Sequence, residues 1–73
     1  MKIKLSPIGT IRRFVQEGEI EVEKGLTPRQ LIECLNIPKE LKMLSFVNGT
    51  RMDLDGELHE GDDVKLVTLA MGG

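Results

Sequence analysis

The sequence predicts an α+β fold, with a mixed sheet of four to five strands packed on one main helix. Three observations carry that reading. Residues 2–5 and 19–23 alternate polar and apolar residues, the period-two mark of a half-buried strand. A full helix-start signature surrounds Thr27. Asn48-Gly49, flanked by apolar residues, is a strong short hairpin signal.

The first strand comes from Lys2 to Leu5, with Lys2 and Lys4 on one side and Ile3 and Leu5 on the other. The second covers residues 19–23, where Glu19, Glu21 and Glu23 flank Ile20 and Val22. The stretch from Ser6 to Gly18 is too long for a two-residue turn, so the pair forms a hairpin with an extended loop. Thr27 then serves as N-cap, Pro28 as first helical residue and Gln30 as capping-box partner. Leu26 and Leu31 stand at hydrophobic-staple spacing. Leu31, Ile32 and Leu35 make one apolar stripe, which Asn36 and Pro38 cut short after little more than two turns. A helix that short is marginal alone, so its stripe must rest on a sheet.

Leu44 to Val47 reads as the next strand, and a short strand from Thr50 to Met52 pairs back on it. After a polar bend, Gly61-Asp62 turns the chain into Val64 to Leu69, the most apolar strand. That strand belongs in the sheet centre, where neighbours on both sides satisfy its backbone. Two hairpins bracketing one helix, with the central strand last, is the order of a β-grasp.

Composition bounds what such a domain can do. The 73 residues hold one domain, 1–73. A domain of this size buries only about 60% of the surface of its unfolded chain. The formal net charge of -2 and the 3% aromatic content argue against nucleic acid. No apolar run approaches the roughly 20 residues that span a bilayer, so no membrane partner is expected. His59 and Cys34 are the only residues of their kinds, too few for a metal cluster or a disulfide, and a cytoplasmic protein is expected. Cys34, on the helix, reads as a small buried hydrophobe. No nucleotide-binding loop or triad spacing is present, and no bound cofactor or catalytic residue of its own is expected.

Two features point outward. Gly72-Gly73 contributes nothing to packing, and the residues Ala70, Met71, Gly72 and Gly73 read as a slim, flexible arm ending in a carboxylate. Four extended residues reach about 13–14 Å, enough to enter a narrow channel in a partner. The last strand is apolar on both sides, with Val64 and Leu66 on one and Val67 and Leu69 on the other. A chain this short has little material for a second covering layer, so Val67 and Leu69, extended by Ile8, read as a docking patch.

The motifs resemble the MoaD/ThiS family of ubiquitin-like sulfur carriers over nearly the whole chain. They are Gly9-Thr10-Ile11-Arg12, Val47-Asn48-Gly49, Leu58-His59-Glu60-Gly61-Asp62-Asp63-Val64 and Gly72-Gly73. The long first loop is most similar to the small subunit of molybdopterin synthase. The resemblance implies that a partner adenylyltransferase uses ATP to activate the Gly73 carboxylate. A sulfur donor protein then converts it to a thiocarboxylate, which delivers sulfide in a second enzyme's active site, in molybdopterin synthesis with the large subunit of that synthase as partner. It also places Arg51, just past the hairpin, where that subunit presents an apolar residue to its catalytic partner. Two further roles stay open: sulfur supply for thiamine thiazole or tRNA thiolation, and modification of proteins by joining Gly73 to their lysines.

Overall fold

The computed structural model describes residues 1–38 and 40–69. Five strands and one helix follow the order β1 (Lys2–Ile8), β2 (Gly18–Glu21), α1 (Pro28–Cys34), β3 (Met43–Val47), β4 (Thr50–Met52) and β5 (Asp63–Thr68). They form one mixed sheet in the order β2-β1-β5-β3-β4. The last strand is central, parallel to β1 and antiparallel to β3.

β1 runs three residues past the Leu5 end that its alternation suggests. Ser6, Pro7 and Ile8 continue on β5, opposite Lys65, Leu66 and Val67. β2 accompanies β1 only over Lys2 to Leu5, so Pro7 lies where that side of β1 is an edge. An edge is where a strand tolerates the missing N–H of proline. The loop that follows is not featureless, since Thr10–Arg13 forms a 3₁₀ turn and buries Ile11.

α1 begins as the capping residues dictate. Gln30 N–H donates to Thr27 Oγ1 at 3.2 Å, and Thr27 N–H donates to Gln30 Oε1 at 3.0 Å. Two helix-end donors are thereby satisfied reciprocally. The staple residues Leu26 and Leu31 are both buried. The helix stops where Asn36 turns left-handed, at φ 56°. Its inner face joins Ile3, Leu5, Val64 and Leu66 in a single core with Ile11, Val15, Ile37, Met43, Val47 and Leu58, while Ile32 and Leu35 pack at its margin. Cys34 is exposed, which corrects the buried placement its residue type suggests. It occupies the position between Glu33 and the half-buried Leu35, off the Leu31 stripe.

The β3–β4 turn is locked from outside. Asn48 and Gly49 take φ of 53° and 84°, the left-handed pair that a two-residue hairpin needs. Asn48 Nδ2 donates to Asp62 Oδ1 at 2.9 Å, and Asp63 N–H donates to Asn48 Oδ1 at 2.9 Å. Asp62 Oδ2 accepts from His59 N–H at 2.8 Å. The nearly buried Asp62 thus ties the polar bend to the hairpin, and a structural role accounts for both motifs. His59 itself stays on the surface. Among the described residues, no helix is long and apolar enough to cross a membrane.

Candidate functional site

Strand alternation assigns every side chain of the face opposite α1. Ile3, Leu5, Val64, Leu66, Met43 and Val47 point into the core. Their neighbours in sequence therefore point away from it. Register then groups the outward residues into rows. Ile8, Val67 and Leu44 lie side by side on β1, β5 and β3. The next row holds Ser6, Lys65, Phe46 and Arg51. Beyond it come Glu19, Lys4 and Asp63, then Glu21 and Lys2.

The face is thus divided along its length. The end nearest residue 69 is apolar, with Ile8 and Leu69 each 42% exposed and Leu44, Phe46 and Val67 half-buried. Exposed Arg51 and Lys65 border it. The opposite end is charged, and its carboxylates and ammonium groups alternate across β2, β1 and β5. At strand spacings of about 4.8 Å, the Ile8–Val67–Leu44 row spans roughly 10 Å. An exposed apolar surface is a feature that sites of contact with other molecules share.

Of the residues that the sequence singles out for partner binding, the fold brings Ile8, Val67 and Leu69 together at one end. Arg51 is placed one row away across Phe46. Ala70, Met71, Gly72 and Gly73 lie outside the described residues. Leu44 and Phe46 join the patch without having been singled out. Their signal was present, because Met43 to Val47 is apolar on both parities, as β5 is. Glu19, Glu21 and Glu23 are solvent-exposed.

The end of β5 is gripped on both sides. Leu69 N–H donates to the carbonyl of Lys42 at 2.9 Å. Thr68 Oγ1 donates to the Ile8 carbonyl at 2.9 Å and accepts from Ile11 N–H at 3.2 Å. Gly9 between them has φ 91°, and a Cβ there would overlap the Thr68 hydroxyl. The glycine of the Gly9-Thr10-Ile11-Arg12 motif is therefore required by close approach as well as by backbone conformation.

Behind the sheet, Arg29 on α1 pairs with Asp55 in the bend after β4, Nε to Oδ1 at 2.8 Å and Nη2 to Oδ2 at 3.3 Å. The hydrogen bond from Arg29 holds the Asp55 carboxyl below the usual carboxylate range, and in turn raises the guanidinium pKa. Among the described residues, no three His, Cys, Asp or Glu side chains gather as metal ligands would.

No protein-family profile and no curated protein sequence matches the chain. Solved structures do. A Pyrococcus furiosus protein provisionally named molybdopterin converting factor, subunit 1, is 26% identical, covers 94% of this chain and 98% of its own, and superposes with a TM-score of 0.73. The small archaeal modifier protein 1 of Haloferax volcanii superposes in two structures. One has a TM-score of 0.69 at 11% identity, over 90% of this chain and 94% of its own. The other has a TM-score of 0.70 at 12% identity, over the full length of both. Identities that low speak for the fold. The chain is a β-grasp, ubiquitin-like protein, and its likeness to the Pyrococcus subunit sets it beside the MoaD/ThiS family that its motifs resemble.

Proposed function

We propose that the chain is a sulfur carrier whose working group is the Gly73 carboxylate. The observation that carries this reading is the division of the open face: its apolar end surrounds the strand end from which residues 70–73 continue to Gly72-Gly73. Ile8, Leu44, Val67 and Leu69 dock on a partner adenylyltransferase, while Ala70, Met71 and Gly72 carry the carboxylate into its channel.

Chemistry then proceeds at the acyl carbon. A Gly73 carboxylate oxygen attacks the α-phosphorus of ATP, the α–β phosphoanhydride bond breaks, and pyrophosphate leaves. This replaces an inert carboxylate with an acyl adenylate. A hydrosulfide equivalent from a sulfur donor protein adds to the acyl carbon and AMP departs, giving the thiocarboxylate with no net oxidation. The carrier contributes no catalytic side chain, so Cys34 and His59 have no part in it. A cytoplasmic location, where ATP is available, fits this work.

The Pyrococcus likeness favours molybdopterin synthesis as the destination of the sulfur, with the large subunit of the synthase as the partner in whose active site it is delivered. The Haloferax likeness supports a second reading, in which the same activated Gly73 is joined to lysines of other proteins. Mass spectrometry of the protein from its own cell separates the two. Sulfur in place of one Gly73 oxygen supports the carrier, and a Gly-Gly remnant on other proteins supports the modifier.

ATP–pyrophosphate exchange with the activating enzyme tests the shared step. Deletion of Gly73 withdraws the carboxylate by about 3.3–3.6 Å. Since 1 Å of misplacement can cost about a hundredfold in rate, exchange is abolished while the thermal melt is unchanged. Normal exchange by the deletion variant would refute the carrier reading.

A further inference from the structure

Thr68 is half-buried at the end of β5, yet both functions of its hydroxyl are engaged, one by Ile8 at the end of β1 and the other by Ile11 in the 3₁₀ turn that follows. The loop residue between its two partners is Gly9, whose missing Cβ leaves room for that hydroxyl. On the other flank, Leu69 is bonded to Lys42. The central strand is consequently held in place up to its last described residue. A strand terminus without such bonds frays, and each residue released moves the origin of the following segment by up to about 3.3–3.6 Å.

We propose that Thr68, seated against Gly9, is a positioning residue that fixes where and in which direction the tail leaves the sheet. The inference rests on the carrier reading, because it matters only if Gly73 must reach a reaction centre. Only four residues separate Leu69 from that carboxylate, which leaves little slack to absorb a shift at the root. A root held in advance also spares ordering cost when the tail enters its channel.

Thr68→Val keeps shape while removing both hydrogen bonds, and Thr68→Ser keeps the hydroxyl. Gly9→Ala breaks the same contact from the loop side. Each is assayed by ATP–pyrophosphate exchange, with kcat separated from KM, using the adenylyltransferase that activates the wild-type chain. Thr68→Val and Gly9→Ala lower kcat about tenfold or more. Thr68→Ser stays near wild type, and the double variant is no worse than either single, because both remove one contact. Hydrogen exchange at the Ile11 amide quickens in Thr68→Val while that of Leu5 stays slow. Ile3→Val, a core change remote from the tail root, leaves kcat unchanged.

Wild-type kcat in both Thr68→Val and Gly9→Ala would overturn the positioning role. So would an equal loss in Ile3→Val, which would mark the effect as general destabilisation. Should Thr68→Val fail to fold, Gly9→Ala and Thr68→Ser decide the matter by the same criteria. Should no adenylyltransferase of the native cell exchange pyrophosphate with the wild-type chain, the carrier reading is overturned, and this role with it.

Discussion

On the side of the sheet that faces α1, Ile3, Leu5, Val64 and Leu66 are at most 1% exposed, whereas across the same strands Ile8 and Leu69 remain 42% exposed. Residues of similar hydrophobicity, three positions apart in the pairs Leu5–Ile8 and Leu66–Leu69, have opposite fates. The difference is one of supply. A seven-residue helix and the connecting loops cover one face, and the described chain has no second layer for the other. Apolar residues on the covered side hold the fold together. Those on the open side gain nothing until another molecule arrives, so their effects are expected in association and not in stability.

Leu31→Ala strikes the covered face. Leu31 is 1% exposed in the core cluster that includes Leu66, so truncation is expected to cost about 2–5 kcal/mol. That is a large part of the roughly 5–15 kcal/mol typical of a whole domain. Chemical denaturation measures it, and a value within error of wild type would break the contrast between the faces. Binding by the fraction that remains folded should be unaltered.

Val67→Glu makes the reciprocal change at the centre of the Ile8–Val67–Leu44 row. Stability should move little, since Val67 is only half-buried, while docking to the adenylyltransferase weakens by roughly 2 kcal/mol, about thirtyfold. Titration calorimetry reads this, and an unchanged binding constant would remove Val67 from the interface.

Arg51→Leu sharpens the picture at the border of the patch. An exposed rim cation acts chiefly on association rate, so the variant should bind, with less than about a tenfold loss at low salt and less still at high salt. Complete loss would make Arg51 an anchor instead of a border residue.

The smallest effect belongs to Arg29 and Asp55, exposed behind the sheet. The folded carboxyl of Asp55 lies below its ordinary value of 3.8, so its contribution is present above that pH and is lost as pH falls through the lower folded value. Asp55→Asn should therefore differ slightly from wild type near neutrality and converge with it in acid. Added salt should shrink the difference, because both groups are open to solvent. A stability gap that widens in acid would contradict the pairing.

Much of this molecule follows from local chemistry alone. Thr27, Pro28 and Gln30 specify a helix start whatever surrounds them, because the cap satisfies donors within three residues. Asn48-Gly49 specifies its turn for the same reason, through backbone angles other residues resist. The last strand, apolar on both sides, marks Val67 and Leu69 as an outward pair that Ile8 extends. What sequence could not settle depends on residues far apart in the chain. The extension of β1 through Pro7 exists because β5 lies beside it and β2 does not. Cys34 is outside the core because α1 rolls on Leu31. The addition of Leu44 and Phe46 to the patch, and the seat of Thr68 against Gly9, both require the register that the tertiary fold imposes. Local preferences act over a few bonds and are written in order along the chain. Register and close approach are set by which strands become neighbours, and the packing of the whole core decides that.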